Sequence, residues 1–386
     1  MATLMLLQLL AAVAVMVQPA VAGGGAPCTT CRGPAFSWET VPKFIHTSNA
    51  TGPVNAGALA LMAKFAMVTV EKFQGACGNE KTSSPACDQE AQIIEVLRGV
   101  KQINPNVSAV FYYNSVLDFN QYKLHALMEA DPSLMLHDST GQVIRIGGGH
   151  KVSDVFDFSN PATRALFIEE CVNATKSGIV DGCFCDRAVD GTPSDSGDDR
   201  VPCGSPGGKK IKPCAHNLTA AKAAAYAAGH VQVLTDLQTA IGDGPVIANH
   251  AYGPPHDNMV AGSVSFAMIE TFGANNQSIK ELLLAAANGR GVQAHGTPSE
   301  ASLAAFLIGA GHRAYYGIGG WSERGTTFED HWMSQFSLPL GEPHGDAVYD
   351  AASATWTRSF GKGVKVTFEC HGRNGSINGP GWSGSF

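Results

Sequence analysis

Two acidic residues each end an apolar, strand-like segment, and together they could carry out acid–base and nucleophilic chemistry. Asp186 ends the segment 179–186, and Glu270 ends the segment 265–270. A carboxylate at the end of an apolar strand is poorly solvated unless a pocket or a partner receives it, which is how catalytic pKa values arise. If one acid protonates a leaving oxygen while the other acts as nucleophile or base, the pair suits the hydrolysis of a glycosidic bond.

The surroundings of the two acids predict different roles. Arg187 follows Asp186 directly, and a nearby cation would keep that carboxyl ionised, as a nucleophile or electrostatic stabiliser requires. Glu270 follows an apolar strand, and an apolar setting favours a general acid/base. The alternative for either acid is a structural ion pair with Arg187, Lys72 or His250.

Further polar and aromatic residues follow the same strand-like segments, where they could bind the hydroxyls and ring faces of a sugar. The residues that we predict to bind substrate are His46, Glu71, Lys72, Tyr112, Tyr113, Asn114, Arg187, Asn249, His250, Tyr252, His295, Tyr316 and Trp321. Glu71 and Lys72 could equally form a plain salt bridge. Single histidines on separate strands are more often hydrogen-bonding core residues than metal ligands, so we expect neither a metal nor a cofactor.

Eight short β-rich segments that alternate with helical segments would position these residues. They span 41–46, 66–70, 107–113, 179–185, 245–249, 264–269, 291–295 and 313–318. Such alternation indicates the α/β class, and eight units predict a closed (β/α)8 TIM barrel with its active site at the C-terminal ends of the strands. The alternative is an open doubly wound sheet, but no G-x-G-x-x-G motif joins a strand to a helix.

The alternation is interrupted at residues 131–160, where two β-rich runs at 133–138 and 142–146 flank a turn at 139–141 and predict a hairpin inserted before strand four. We therefore expect a signal peptide at 1–22, a Cys-containing N-terminal segment at 23–37, and the catalytic barrel at 38–342. The remainder, 343–386, is predicted to be a C-terminal β segment and tail, with a strand at 363–368 packed on the barrel exterior.

The N-terminus and the cysteines predict an exported protein. Residues 4–17 are apolar and uncharged, and Ala20-Val-Ala22 resembles a cleavage site, so we expect secretion with cleavage after Ala22 and no membrane-spanning helix. The six N-glycosylation sequons begin at Asn49, Asn106, Asn173, Asn217, Asn276 and Asn374.

Ten cysteines also fit an oxidising compartment. Two pairs each bracket a short polar loop, which predicts disulfides between Cys77 and Cys87 and between Cys203 and Cys214. The pairing of Cys28, Cys31, Cys171, Cys183, Cys185 and Cys370 stays open. Half of a zinc site at residues 28–31 is the poorer alternative for that C-x-x-C, because the chain has no second metal-binding pair.

Composition excludes several other classes of protein. The chain has 386 residues, of which 44% are hydrophobic and 15% charged, and this excludes intrinsic disorder. Its net charge of −7 and the lack of a long basic run argue against a nucleic-acid partner. No G-x-S-x-G motif supports serine hydrolysis.

From about residue 38 to 368 the chain resembles glycosidase-like (β/α)8 barrel proteins, among them the polygalactosaminidase-type and related hypothetical glycosyl-hydrolase families. The resemblance is carried by FYYNS at 111–115, DGCFCDR at 181–187, FAMIE at 266–270, LGEP at 340–343 and WTRSFGKGV at 356–364. It implies an Asp after strand four and an acid after strand six, at the positions of Asp186 and Glu270.

We therefore expect a secreted glycoside hydrolase that acts on a poly- or oligosaccharide with paired carboxylates. The alternatives are a non-catalytic carbohydrate-binding or extracellular-matrix protein on the same barrel, and a polysaccharide lyase that uses Tyr and His. The acid pair favours the hydrolase over a binding protein, which needs no such pair. The sequence leaves open the sugar, the linkage and the oligomeric state.

Overall fold

The structure is a computed structural model that describes residues 33–75, 88–148, 151–188, 218–249, 264–323 and 328–382. In chain order its elements are β1 (Phe44–Thr47), α1 (Ala56–Met62), β2 (Met67–Val70), α2 (Gln89–Ile103), β3 (Ser108–Asn114), β4 (Leu117–Asp118), α3 (Leu124–Ala130), β5 (Arg145–Gly148), β6 (Lys151–Val155), α4 (Pro161–Thr175), β7 (Gly182–Asp186), α5 (Ala220–Ile241), β8 (Val246–Asn249), β9 (Phe266–Ile269), α6 (Asn276–Ala287), β10 (Gly291–His295), α7 (Glu300–Gly309), β11 (Ala314–Gly317), β12 (Val348–Asp350), β13 (Thr355–Phe360), β14 (Val364–Glu369) and β15 (Asn374–Asn378).

Eight parallel strands form the central sheet in the order β1-β2-β3-β7-β8-β9-β10-β11. A parallel bridge between Lys43 and Tyr316 joins the first strand to the last, and the Tyr316 amide donates to the Pro42 carbonyl at 2.9 Å. The predicted (β/α)8 barrel is therefore confirmed. Each of these eight strands begins and ends within three residues of its predicted bounds.

Local sequence explains where the helices begin. Most of them are preceded by a polar side chain that accepts a hydrogen bond from a first-turn amide, which satisfies a donor that the helix itself leaves unpaired. These capping residues are Asn55, Asp88, Asn160, Thr219, Asn275 and Ser299. Pro161 adds a preset backbone angle at the start of α4.

The insertion after β3 is larger than the single predicted hairpin. The predicted turn is present, because the Asp138 amide donates to the Gln142 carbonyl at 2.8 Å and His137 pairs with Val143. However, β4, β5 and β6 form a three-stranded antiparallel sheet in the order β4-β6-β5. The prediction of a strand from residue 133 is wrong at its start, since 132–134 form a 3-10 turn that begins at a proline and is capped by Asp131.

The C-terminal residues form a four-stranded antiparallel sheet in the order β12-β13-β14-β15, of which only β14 was predicted. This sheet packs on α7, whose residues 302–309 are all buried. Arg358 on β13 donates to the carbonyls of Leu307 and Ile308 at the C-terminal end of α7, at 3.0 and 3.3 Å. Glu300 at the other end accepts the Ile377 amide of β15 at 2.8 Å. The sheet is thus tied to both ends of the helix.

We predict that Gly229→Ala strongly destabilises the barrel. A Cβ at Gly229 would lie 1.8 Å from the Phe158 carbonyl oxygen, so α5 would have to move away from the loop before α4. We expect the free energy of unfolding to fall by more than about 2 kcal/mol. The matched control is the exposed helical Gly57, where a Cβ meets nothing closer than 3.4 Å and alanine should add roughly 1 kcal/mol. Urea unfolding of both variants measures this, and equal stabilities would contradict it.

Several expectations about export lie outside the described residues, namely the signal peptide and both predicted disulfides. The described cysteines are Cys171, Cys183, Cys185 and Cys370, and all four are free thiols. Among the described sequons, Asn106, Asn173 and Asn374 are exposed. Asn49 is only 2% exposed and its amide donates to the Pro53 carbonyl, so the folded chain does not offer it to a modifying enzyme. No described helix has both the length and the apolar character needed to cross a membrane.

Candidate active site

The two predicted acids stand on either side of Asn249 at the C-terminal end of the barrel. Asp186 is the last residue of β7, Asn249 is the last residue of β8, and Glu270 directly follows β9; β8 lies between the other two strands in the sheet. Side chains alternate between the two faces of a strand. Phe184 and Met268, each two residues before one of the acids, line the same pocket as the two acids, as this alternation requires.

A single amide nitrogen connects the two carboxyl groups. Asn249 Nδ2 donates to Asp186 Oδ1 and to Glu270 Oε2, in each case at 2.8 Å. The two oxygens therefore lie no more than twice that distance, 5.6 Å, apart. Because the two N–H bonds of an amide diverge by about 120°, the expected separation is about 5 Å.

Asp186 is held by four hydrogen-bond donors. Its Oδ2 accepts from the Tyr112 hydroxyl at 2.6 Å and from Asn114 Nδ2 at 3.2 Å, and its Oδ1 accepts from Asn249 and from the Arg187 amide at 2.9 Å. Burial alone would raise the pKa of Asp186. The charge of Lys72, the bonds from Tyr112 and Asn249 and the charge of Arg187 outweigh burial and lower this pKa to about 2. Asp186 is therefore ionised at neutral pH.

Lys72 contributes more to this ionisation than Arg187, the cation that we predicted for the role. Lys72 Nζ donates to Glu71 Oε2 at 2.8 Å and to the Tyr112 hydroxyl at 3.0 Å. It also lies 4.4 Å from the centre of the Tyr112 ring, a distance at which the ring face attracts a cation. Burial and nearby carboxylates raise the pKa of Tyr112, so its hydroxyl remains a donor to Asp186.

Glu71 forms the salt bridge that we considered, and it also faces the pocket. Its side chain is 6% exposed, and its Oε1 lies 3.2 Å from His46 Nε2. Burial pushes the pKa of Glu71 upward, but Lys72 and His46 together hold it below its ordinary value. The polar contacts thus run without a break from His46 through Glu71, Lys72, Tyr112 and Asp186 to Asn249 and Glu270, across six neighbouring strands.

These groups surround a pocket of about 220 Å³ at the C-terminal ends of the strands. This volume is below the range of about 300–1,000 Å³ that is typical for drug-sized ligands and suits one small polar ring. The residues that line it are His46, Glu71, Lys72, Phe73, Phe184, Asp186, Asn249, Met268, Glu270, Trp321 and Ser322. Trp321 packs on His295 with ring centroids 4.1 Å apart, and burial lowers the pKa of His295 to about 4, so this imidazole is neutral at pH 7.

The structure brings only part of the predicted substrate-binding set to the pocket wall. His46, Glu71, Lys72, Asn249 and Trp321 line it together with both acids. Tyr112, Asn114 and Arg187 contact Asp186 instead, and His295 supports Trp321. His250 and Tyr252 lie outside the described residues.

Two predicted residues, Tyr113 and Tyr316, lie away from the pocket. Tyr113 follows Tyr112 on β3, and alternation turns it outward onto Phe167 of α4, with ring centroids 4.8 Å apart. Tyr316 is fully buried, and its hydroxyl lies 2.7 Å from both the Thr297 carbonyl and the Ser302 hydroxyl of α7. The prediction that these two rings bind substrate is therefore corrected: both pack between the barrel and its helices.

Residues 101–364, more than half of the chain, match the family described as hypothetical glycosyl hydrolase family 15. The chain belongs to this family. The part that matches hypothetical glycosyl hydrolase family 15 contains Asp186, Asn249 and Glu270, whereas His46, Glu71 and Lys72 precede it. No curated protein matches the chain.

Solved structures of glycoside-active enzymes share the fold of this member of hypothetical glycosyl hydrolase family 15. A noncanonic maltogenic α-amylase, AmyB, from Thermotoga neapolitana has a TM-score of 0.51 at 11% identity, with 85% of each chain covered. An α-galactosidase, AgaA, from Geobacillus stearothermophilus has a TM-score of 0.50 at 10% identity, covering 88% of this chain and 49% of the other. At such low identity these likenesses support the barrel fold alone.

Four lining residues of this family member were not predicted: Phe73, Phe184, Met268 and Ser322. Phe184 and Met268 could have been found, because each stands two residues before an acid on the same strand face. Phe73 and Ser322 lie beyond strand ends, where no periodic pattern indicates the direction of a side chain.

Among the described residues, no group of three or more His, Cys, Asp and Glu side chains is placed to hold a metal ion.

Proposed function

We propose that the chain is a retaining glycoside hydrolase in which Asp186 is the nucleophile and Glu270 is the general acid/base. The observation that supports this most directly is the bridge from one amide nitrogen to both acids, which keeps Asp186 Oδ1 and Glu270 Oε2 within 5.6 Å of each other. Retaining enzymes place their carboxyl groups about 5–5.5 Å apart, whereas inverting enzymes need about 6.5–9.5 Å to admit a water.

The reaction would proceed in two steps. In the first, an Asp186 oxygen attacks the anomeric carbon while Glu270 gives its proton to the departing glycosidic oxygen, so that the C–O bond breaks and a glycosyl ester forms. In the second, the Glu270 carboxylate takes a proton from water, the water oxygen attacks the anomeric carbon, and Asp186 leaves as a carboxylate. Asp186 must begin ionised, which its low pKa supports.

The carboxylate, ammonium and ring groups of the pocket suit a neutral sugar ring. Glu71 can accept a hydrogen bond and Lys72 can donate one, and their polar atoms lie side by side, 2.8 Å apart. An acceptor next to a donor suits two adjacent hydroxyls of a sugar, because a hydroxyl can donate or accept. The exposed part of Trp321 offers a face on which a pyranose can stack. We therefore propose that one sugar residue of a poly- or oligosaccharide occupies this pocket with its anomeric carbon between the two acids.

The test is cleavage of a panel of polysaccharides and aryl glycosides by the purified protein. We expect release of at least one sugar, with the first-formed product in the anomeric configuration of the substrate, as followed by proton NMR. An inverted product would contradict the proposed mechanism. Binding of a glycan without cleavage of any substrate would instead favour the non-catalytic alternative.

We predict that Lys72→Met raises the pH at which activity is lost on the acid side. The ionised form of Asp186 persists until the pH falls to about 2, and Lys72 is the strongest charge that keeps it so. Without this cation the pKa of Asp186 should rise by about one unit or more, toward the ordinary value for Asp. The acid limb of the kcat/KM profile measures this shift. Lys72→Arg keeps the charge and is the control; equal acid limbs in both variants would contradict the prediction.

A further inference from the structure

Asn249 stands where a single group can act on both acids. It ends β8, is 3% exposed, and its Nδ2 lies 2.8 Å from one oxygen of each carboxyl group. Both partners are carboxyl oxygens, and only the nitrogen end of an amide has two hydrogens to give them. The carbonyl end would repel an ionised carboxylate at the same distance. The chemistry of the two partners therefore agrees with this orientation of the amide.

The contact with Glu270 distinguishes the two oxygens of that acid. A protonated carboxyl group has one O–H oxygen, which donates, and one carbonyl oxygen, which accepts. Because Oε2 accepts an N–H from Asn249, the proton of a neutral Glu270 is favoured on Oε1. The amide therefore fixes which atom of the acid can donate a proton.

The contact with Asp186 matters because the negative charge moves from one acid to the other during the reaction. Before attack the negative charge lies on Asp186; after attack Asp186 is an ester, and the charge lies on Glu270, which has lost its proton to the leaving oxygen. A hydrogen bond to an ionised group is roughly twice as strong as one to a neutral group. One amide that touches both acids can therefore stabilise whichever acid is charged, without moving.

We propose that Asn249 is a positioning residue that directs the proton of Glu270 to Oε1 and stabilises the negative charge as it passes from Asp186 to Glu270. This rests on the proposed glycoside hydrolase function and adds a role beyond substrate binding. The geometry also gives the amide a part in the stereochemical outcome, because its two diverging N–H bonds set the spacing of the acids.

The experiment compares two aryl glycosides of one sugar that the wild type cleaves: a phenyl glycoside and a 2,4-dinitrophenyl glycoside. Phenoxide is a poor leaving group that needs a proton from Glu270, whereas dinitrophenoxide leaves without one. In Asn249→Leu, which is similar in size and removes both donors without adding a charge, we expect the phenyl substrate to lose at least about tenfold more in kcat/KM than the dinitrophenyl substrate. Asn249→Ala also removes both donors and should show the same ratio.

The possible results test the role of Asn249 and the proposed hydrolase function separately. Equal losses on both substrates in a folded variant, or no loss, would overturn the role of Asn249 while leaving the hydrolase in place. Failure of the wild type to cleave any glycoside would count against the proposed function itself. Circular dichroism and thermal melting identify folded variants, and if Asn249→Leu unfolds, the smaller Asn249→Ala still supplies the test.

Discussion

Asp186→Asn is expected to reduce turnover by about 10⁴–10⁶-fold on any glycan that the wild type cleaves. Asparagine keeps the size of the side chain but has no charge with which to attack the anomeric carbon. It would also turn an NH2 group toward the donors that now surround the carboxylate, from Tyr112 and Asn114 on one side or Asn249 and Arg187 on the other. The decrease in kcat should therefore be larger than weaker binding of the substrate alone would cause.

The control for this variant is Asp181→Asn on the same segment. Asp181 pairs with Lys101 at 2.8 Å, and both residues line a separate cavity beside the loops at 33–35 and 105–108. Its loss should leave turnover nearly unchanged. A second measurement uses Asp186→Ala with added azide: azide should fill the space of the missing carboxylate and yield a glycosyl azide of inverted configuration. Near-normal turnover by Asp186→Asn would remove this residue from the mechanism.

Glu270→Gln is expected to reduce turnover of natural glycans by about 10²–10⁴-fold, the usual contribution of a general acid. The loss should depend on the leaving group, because a glycoside whose aglycone leaves without a proton bypasses the missing acid in the first step. Glutamine can still accept the N–H of Asn249, so the pocket should keep its shape. A burst of aryl release followed by a slow steady state is expected on activated substrates, since the second step lacks its base.

Glu95→Gln provides the control, because Glu95 is exposed on α2 and pairs with Arg98 of the same helix in a surface salt bridge. Its turnover should equal that of the wild type. A Glu270→Gln variant with the same fractional loss on good and poor leaving groups would not be missing a proton donor, and this outcome would exclude Glu270 as the acid.

The barrel and both acids were predictable because they depend on periodic patterns. Eight alternating segments specify the sheet, and a period of two places Asp186 and Glu270 on the face that lines the pocket. The same rule should have excluded Tyr113, since adjacent residues of β3 cannot both face inward. The position of Tyr316 was less predictable, because it depends on which face of β11 is covered by α7.

Contacts between distant strand ends were not predictable in detail. The cation with the larger effect on Asp186 is not its neighbour in sequence but Lys72, which is connected to it through the hydroxyl of Tyr112. Likewise, the bridge by Asn249 depends on strands β7, β8 and β9 ending at the same level. Sequence spacing indicates which residues reach this edge of the barrel, but not which of them form hydrogen bonds with one another.

The sheet formed by β12–β15 limits where the chain can be shortened. A helix on the outside of a barrel usually keeps one face in water, yet residues 302–309 of α7 are buried throughout. Trp382, also fully buried, donates to the Pro339 carbonyl at 2.9 Å. A protein ended at residue 342 would therefore expose an apolar helix to solvent and be prone to aggregate, although the barrel strands themselves would be complete. The smallest soluble form of this protein should accordingly extend through Trp382.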